Sequence, residues 1–361
     1  MPTKSMYIAE SKVDHEQRDI LNKKLDHSHL VVGCAGSGKS CLALLRIKML
    51  SEMKDSGPYY LVTFVRSLVE YLRQELRVNK LPGECVVTHK EWTEGRITPW
   101  CGRHFNIPAG RWQLNRIPNY LLVDECQDLP LEAIRQMRQA TQKAIFLYGD
   151  DEQQIMDFTE RQPANVTQIG RELNLPTYRL RLNYRLPKKV ARFAQEVSGS
   201  PDLEVHCRNE DGNKPYVIRV DAQNRVQLIT ELANRNHYEE IGILCRSDEQ
   251  VKHTYEDLLK RGMDVSARYN VADGKFKYLH HKTRFKVMNF HQAKGQQFEA
   301  VFLWLEDNVQ YDPKVLYVGI TRTYHSLYVM YERTLPGPLH GIPLALYRSD
   351  LAELDQPLVQ V

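Results

Sequence analysis

The segment 29–40 joins a short apolar run, His-Leu-Val-Val, to a glycine-rich loop that is followed by apolar residues at helical spacing. Its glycines, lysine and final serine fit G-x-x-x-x-G-K-[ST], a pattern in which successive backbone N–H groups point at one phosphate. The order strand, loop and helix disfavours a chance glycine-rich turn, because a helix N-terminus also attracts anions. We expect Lys39 to reach the β and γ phosphates of a nucleotide and the Ser40 hydroxyl to bind Mg²⁺. The predicted phosphate-binding residues are Gly33, Gly36, Ser37, Gly38, Lys39 and Ser40.

A second chemical signal is the run Leu-Leu-Val-Asp-Glu-Cys-Gln-Asp at 121–128. An apolar strand that ends in a carboxylate can present it to the Mg²⁺ of a bound nucleotide, which assigns Asp124 as a metal ligand beside Ser40. Glu125 is then placed to accept the proton of an attacking water. Alone the pair is a common strand terminus, but its position downstream of the glycine-rich loop favours hydrolysis of ATP.

Length, charge and cysteine content narrow the classes of protein to which this chain can belong. The chain has 361 residues, a formal charge of +4 and seven scattered cysteines. This length predicts two or three domains, the charge permits an anionic partner without requiring one, and the cysteines are typical of reduced, structural thiols. A zinc site built from Cys85, His89, Cys101 and His104 is a weaker alternative because their spacing is irregular. The sequence contains neither a membrane-length apolar run nor a signal-peptide core at its start, and it predicts a cytoplasmic protein without membrane contact.

Strand and helix signals alternate along most of the chain, which predicts α/β layers with parallel sheets. Two domains are expected, 1–180 and 181–361, joined near 175–185. A segment at about 90–118, rich in glycine, proline and arginine, breaks the alternation and is interpreted as a short insertion in the first domain. The predicted strands are 29–33, 59–64, 84–88, 119–124 and 144–148, then 216–220, 240–245, 284–289, 299–304 and 326–331.

The Asp-Glu-Cys-Gln-Asp box resembles the Asp-Glu-x-Gln-Asp box of UvrD/Rep-type superfamily 1 helicases, and further boxes follow in the order of that family. The resemblance extends from about residue 14 to about residue 331 and implies two RecA-like P-loop domains. The boxes that carry it are Glu16–Arg18, Gly33–Ser40, Asp124–Asp128, Gly149–Ile155, Asn183–Arg185, His291–Glu299 and Tyr317–Arg322.

The resemblance also implies a role for individual residues around the nucleotide. Gln17 would read the adenine edge, Gln153 would sense the γ-phosphate, and Tyr184 would stack on the base. Arg185 and Arg322, both predicted in or at the border of the second domain, would stabilise negative charge on the transferred phosphoryl group. The alternative is that these arginines form surface ion pairs without a catalytic role.

Nucleic-acid contacts form a further set of predictions. The pairs Thr63-Phe64 and Thr88-His89 resemble family boxes on the single-strand path, where aromatic rings stack on bases and polar groups follow phosphates. Core packing is the alternative for each aromatic residue. Arginines 103, 111 and 116 of the insertion would add phosphate contacts or be solvated. The candidates are Thr63, Phe64, Thr88, His89, Trp92, Phe158 and His291.

Three positions depart from the family pattern. Gln297 stands where a glutamate usually binds the ribose hydroxyls, so it would offer a hydrogen bond without charge. Asn289 replaces a threonine, and Met156 replaces an aromatic residue. The chain also has shorter insertions than typical members, which leaves little beyond a two-domain motor.

Together these features predict an enzyme that binds ATP and Mg²⁺ and moves 3′ to 5′ along single-stranded DNA, with RNA as an alternative track. Separation of a duplex would also need a pin that parts the strands or a second nucleic-acid contact. The competing prediction is an ATP-gated sensor or regulatory subunit that works with a partner nuclease or repair protein. Both require an intact glycine-rich loop.

Overall fold

The structure is a computed structural model, and it describes residues 10–95, 117–150, 153, 164–200, 202–270, 276–277 and 283–350. The chain folds into two compact units, 2–181 and 182–361. Each unit contains a parallel sheet with helices against it, which confirms the predicted α/β class. No helix within these described ranges is long and apolar enough to cross a membrane.

The N-terminal unit is a six-stranded parallel sheet with the order β3-β2-β4-β5-β1-β6. Its strands are β1 His29–Gly33, β2 Tyr59–Thr63, β3 Val86–Thr88, β4 Tyr120–Val123, β5 Ala144–Gly149 and β6 Thr177–Leu180. Its described helices are α1 His15–Leu21, α2 Lys39–Glu52, α3 Arg66–Val78, α4 His89–Glu94, α5 Leu131–Ala140 and α6 Val166–Glu172. Short 3₁₀ turns occupy Glu10–Lys12, Gly83–Cys85 and Cys126–Asp128.

Alternate residues of each central strand enter different layers of this unit. On β4, Leu122 joins a cluster with α2 and α3, whereas Leu121 and Val123 join a cluster with α5 and α6. A strand that is covered on both faces must be apolar at every position, which is why the central strands appear as continuous apolar runs in the sequence. Because all strands are parallel, their carboxyl ends share one edge, where the loops carry polar residues.

The C-terminal unit has a second six-stranded parallel sheet with the order β11-β14-β10-β15-β16-β9. The pairs β7-β8 and β12-β13 form small separate sheets. The strands are β7 Asn183–Pro187, β8 Cys207–Asn209, β9 Tyr216–Arg219, β10 Ile241–Cys245, β11 Val265–Ala267, β12 Tyr269–Asn270, β13 Phe276–Lys277, β14 Phe285–Asn289, β15 Phe298–Trp304 and β16 Thr323–Tyr331. The helices are α7 Lys188–Ser198, α8 Leu203–His206, α9 Arg225–Arg235, α10 Asp248–Lys260 and α11 Pro313–Ile320, with 3₁₀ turns at Ala222–Asn224, Gly337–Leu339 and Leu344–Leu346.

The insertion predicted at about 90–118 begins within α4. Its residues 96–116, which include all three arginines of interest and two of the four residues considered for zinc, lie outside the described residues.

Candidate active site

The glycine-rich loop connects β1 to α2, as its pattern predicts. Gly36 and Gly38 have φ values of 83° and 93°, in the left-handed region that an L side chain rarely adopts, and Gly38 caps the N-terminus of α2. Gln17 lies against this turn, since its Nε2 donates to the Ser37 carbonyl at 3.0 Å. A capping box with Asp14 holds Gln17 at the start of α1. The box upstream of the loop is therefore attached directly to the loop.

Lys39 lies at the centre of the loop and is only 6 % exposed. Its Nζ donates to the carbonyl oxygens of Gly33, at 2.6 Å, and Cys34, at 3.0 Å. The same ammonium is 3.9 Å from Oδ2 of Asp150, which follows β5. Because the ammonium is held inside the turn of the loop, it can meet an anion that the turn surrounds.

Asp124 follows β4 and accepts a hydrogen bond from the Ser40 hydroxyl at 2.7 Å. Burial, reinforced by the adjacent carboxylate of Glu125, raises the pKa of Asp124 to about 7, although the Ser40 hydrogen bond and the Lys39 charge oppose this rise. A hydroxyl and a buried carboxylate at hydrogen-bond distance are oxygen ligands of the kind Mg²⁺ takes beside a phosphate. The residues therefore fit such a cation, which would also relieve the repulsion between the two carboxylates.

Glu125 is held in a network that joins two of the sequence boxes. Gln127 donates from Nε2 to Oε2 of Glu125 at 2.6 Å and accepts the Asp150 amide on its Oε1 at 3.0 Å. Asp150 in turn accepts a hydrogen bond of 2.6 Å from Nε2 of Gln153. Glu125 has a φ of 55°, and strained backbone of this kind concentrates at functional sites.

The topology explains why these groups meet. The glycine-rich loop follows β1, Asp150 follows β5 and Asp124 follows β4, and these three strands are neighbours in the order β4-β5-β1. Gln127 and Asp150 are the residues that the sequence prediction missed. Both belong to boxes that it recognised, but their role depends on contacts across neighbouring strands.

The C-terminal unit brings its two predicted arginines to one residue, Thr321. Arg185 donates from Nη2 to the Thr321 carbonyl at 3.0 Å, and Arg322 donates from Nη2 to the Thr321 hydroxyl at 3.0 Å. Arg322 also donates from Nε to the Val318 carbonyl at 2.8 Å and is 1 % exposed. The surface ion pair that the sequence left as an alternative does not describe this buried guanidinium.

The turn that carries Arg185 is fixed on both sides. The Asn183 side-chain oxygen accepts the amides of Arg185 and Leu186, each at 3.0 Å, and Asn209 donates to the Arg185 carbonyl at 2.7 Å. Between these anchors the Tyr184 side chain is 38 % exposed. An exposed ring on an ordered turn is suited to stacking, and the contact of Tyr184 with a nucleotide base stays a prediction.

The box after β14 contains the remaining predictions of this unit. Asn289 donates to Oδ1 of Asp248 at 3.0 Å and accepts the Gln292 amide at 2.9 Å, which orders the turn. His291 is exposed and Gln297 is half-buried. The roles of these two residues, in nucleic-acid and ribose binding respectively, stay predictions.

The nucleic-acid candidates of the N-terminal unit differ in exposure. Trp92 is 6 % exposed and packs edge-on against Tyr60, with ring centroids 5.8 Å apart, so the core-packing alternative describes it. Thr63 is buried, and Thr88 is buried as the N-cap of α4. Phe64 and His89 are half-buried, and burial lowers the pKa of His89, which keeps its ring neutral at pH 7. Phe158 lies outside the described residues.

Phe64→Ala is expected to weaken binding of single-stranded DNA by about 1–3 kcal/mol if its ring stacks on a base. The ring also packs against both apolar clusters of its unit, so the variant should lose thermal stability. Fluorescence anisotropy with a labelled oligonucleotide, at a temperature where the variant is folded, separates the two effects. The basal ATPase rate should be unchanged, and an unchanged DNA affinity would leave Phe64 with a core role alone.

Two family models match this chain. Residues 17–159 match an AAA domain, and residues 285–330 match a UvrD-like helicase C-terminal domain. No curated protein matches its sequence.

Solved structures share the fold at low identity. A Dbp5 variant from S. cerevisiae, bound to RNA and ADP BeF3, is 14 % identical with a TM-score of 0.55, over 93 % of this chain and 88 % of its own. The Pif1 helicase from Bacteroides, in complex with ADP-AlF3 and ssDNA, is 13 % identical with a TM-score of 0.50, over 92 % of this chain and 95 % of its own. These two domain matches, together with the order of the boxes, bear out the resemblance to UvrD/Rep-type superfamily 1 helicases and identify the protein as an ATP-dependent helicase enzyme.

Proposed function

We propose that this enzyme couples ATP hydrolysis to 3′ to 5′ movement along single-stranded DNA. The observation that carries the proposal is the connected set of Lys39, Asp124, Glu125 and Asp150 at the carboxyl ends of three neighbouring strands. Such a set can hold the phosphates, hold Mg²⁺ and accept a proton, which are the separate tasks of phosphoryl transfer to water.

Each task is assigned to a residue of this chain. Lys39 and the loop amides bind the β and γ phosphates, and Ser40 and Asp124 would hold Mg²⁺, which supplies positive charge to the phosphate oxygens. Glu125 takes a proton from the attacking water, while Gln127 keeps its carboxylate oriented through their 2.6 Å hydrogen bond. Arg185 and Arg322, which share Thr321, stabilise the charge that develops on the phosphoryl group.

Movement along DNA would follow if the unit that carries the arginines and the unit that carries the glycine-rich loop shift during the cycle of ATP binding and hydrolysis. Arg185 and Arg322 lie in the unit 182–361, whereas the loop and the two carboxylates lie in the unit 2–181. A nucleotide bound by both would favour one arrangement of the units, and its hydrolysis would release that preference. The direction 3′ to 5′ and the choice of DNA rest on the resemblance to UvrD/Rep-type enzymes.

The test measures the ATPase rate with single-stranded DNA, duplex DNA and RNA, and then displacement of a protein block from either end of the best activator. Strong stimulation by single-stranded DNA with displacement toward the 5′ end supports the proposal. Lys39→Ala, which removes the phosphate-binding ammonium, should abolish nucleotide binding and is the negative control. Stimulation by a partner protein alone would instead indicate a regulatory subunit.

The raised pKa of Asp124 predicts a pH-dependent requirement for Mg²⁺. Below about pH 7 the free carboxyl holds a proton that a cation must displace, so apparent Mg²⁺ affinity should fall by up to about tenfold per pH unit between pH 7 and 6. Titrating Mg²⁺ against binding of a fluorescent ATP analogue at pH 6, 7 and 8 measures this. Asp124→Asn should bind Mg²⁺–nucleotide weakly and without that pH dependence.

The raised pKa of Asp124 also predicts how stability depends on pH. Stability should fall as pH rises, whereas Mg²⁺ affinity should rise. A carboxyl whose pKa is raised by folding contributes stability that is present at pH below its ordinary value near 4 and is lost as pH rises through about 7. Asp124→Asn should therefore raise the melting temperature of the nucleotide-free protein at pH 8 more than at pH 5. Equal effects at both values would contradict the buried, charge-repelled state of Asp124.

A further inference from the structure

A cleft of about 700 Å³ lies on the N-terminal unit between α6 and the edge strand β6. Apolar side chains from β1, α6 and the following loop line part of it, namely Val32, Val166 and Leu175. None of the catalytic groups assigned above lines this cleft. The cleft is therefore separate from the catalytic groups described above.

Three arginines line the cleft. Arg171 is on α6, Arg179 is on β6 and Arg181 follows β6, and all three are exposed. Among the described residues no carboxylate forms an ion pair with any of these guanidinium groups. Glu16 also lines the cleft, but its Oε2 accepts the backbone amide of Arg181 at 2.8 Å. The cleft thus presents a surplus of positive charge to an incoming ligand.

The edge of β6 adds unused backbone groups. Leu30 lies opposite Thr177 and its amide donates to the Pro176 carbonyl at 2.9 Å. In a parallel pair a residue bonds to the neighbours of the residue it faces, so Tyr178 and Leu180 point their backbone groups at β1. Thr177 and Arg179 consequently turn theirs away from the sheet. No strand pairs with this side of β6 within the described part of the chain.

We propose that this edge binds an acidic, extended segment of a partner protein as an added strand. Outward amides and carbonyls of Thr177 and Arg179 would pair with the backbone of the segment, the mode of recognition known as strand addition. Carboxylates at alternate positions of the segment would face the three arginines, because side chains of a strand alternate in direction. The Glu16 carboxylate on the Arg181 amide is an example, within the chain itself, of an acidic group seated at this edge.

The edge favours a polypeptide over a nucleic-acid backbone for a chemical reason. A strand edge offers donors and acceptors in turn, and only another peptide backbone complements both. A DNA phosphate chain accepts hydrogen bonds but has no donor for the outward carbonyls of Thr177 and Arg179. The arginines alone would suit either ligand, so the backbone groups decide between them.

The test uses a fluorescein-labelled short peptide of alternating glutamate and valine, with an alternating lysine and valine peptide as the control for charge sign. Anisotropy should show binding of the acidic peptide alone. The double variant Arg179→Glu, Arg181→Glu should weaken it by at least about tenfold, since repulsion replaces attraction. Arg261→Glu reverses the charge of one exposed arginine on the other unit and should have no effect.

Thr177→Pro tests the backbone pairing without a change in charge. Proline removes an amide that points away from β1, so the sheet should keep its ladder while the peptide loses a donor. Melting temperature and ATPase rate should match those of the unmodified protein in every variant. The proposal is overturned if the acidic peptide fails to bind, if it binds all variants equally, or if the double variant loses affinity for single-stranded DNA instead.

Discussion

Glu125→Gln is expected to bind ATP normally and to hydrolyse it about 10²- to 10⁴-fold more slowly, the range that general-base catalysis supplies. Glutamine keeps the size of the side chain and its hydrogen bond to Gln127 but cannot take a proton. The buried surroundings of Glu125 strengthen the expectation, because water has little access to replace the lost base. Single-turnover hydrolysis and binding of a fluorescent ATP analogue measure the two quantities separately.

The matched control is Glu91→Gln, which neutralises another buried carboxylate of the same unit. Glu91 completes the capping box of Thr88 on α4, and its Oε2 lies 3.5 Å from Nη2 of Arg73, so its loss should lower stability and leave hydrolysis unchanged at temperatures where the variant is folded. Fast hydrolysis by Glu125→Gln would assign the proton acceptor elsewhere, with Asp150 as the next carboxylate in the network. Weak nucleotide binding by Glu125→Gln would show instead that Glu125 helps to hold the nucleotide and its cation.

The central strands could be predicted because burial on both faces forces apolar residues at every position. The runs at 29–33 and 144–148 correspond closely to β1 and β5, and the C-terminal unit contains a strand at each predicted site. The loop after β1 could also be predicted from the sequence, since its two left-handed positions need glycine. In these places local sequence and tertiary structure impose the same requirement.

The edge strand β6 was not predicted as a strand, and its composition explains why. Thr177 and Arg179 are exposed, so burial does not select apolar residues there. The short pairs β7-β8 and β12-β13 also carry no apolar run. An edge strand is recognised only from its neighbour, in this case through its register with β1.

The network around Glu125 was missed for a different reason. Each residue in it stands in a recognisable box, but the link from Gln127 to the Asp150 amide joins positions 23 residues apart. The link exists because β4 and β5 are adjacent and end at the same edge. The boxes therefore contain every member of this network, whereas the order of the strands determines which of them touch.

Arg185 and Arg322 are linked through a single residue, Thr321, and this link affects how they can act on a phosphoryl group. Arg185 bonds to the carbonyl of Thr321 and Arg322 to its hydroxyl, so a shift of the segment after α11 would move both guanidinium groups together. Planar guanidinium groups match phosphate oxygens in a fixed fork, which a lysine does not reproduce. A pair tethered in this way can respond as one body to the presence of a phosphoryl group.

Arg322→Ala is accordingly expected to lower ATP turnover by about 10³-fold or more while ATP affinity stays near that of the unmodified enzyme, the pattern of a group that acts in the transition state. Arg322→Lys should recover little of the activity, since it restores the charge without the fork.

Removing a buried arginine also costs stability, so Arg225→Ala is the control. Arg225 is buried in the same unit, with its guanidinium 4.8 Å from the centre of the Trp304 ring. If Arg225→Ala and Arg322→Ala slow turnover equally at equal folded fraction, the loss reflects weakened packing of the unit and Arg322 is not a phosphoryl-contacting group. A large loss confined to Arg322→Ala would place the guanidinium at the transferred phosphoryl group, because packing alone would affect both variants.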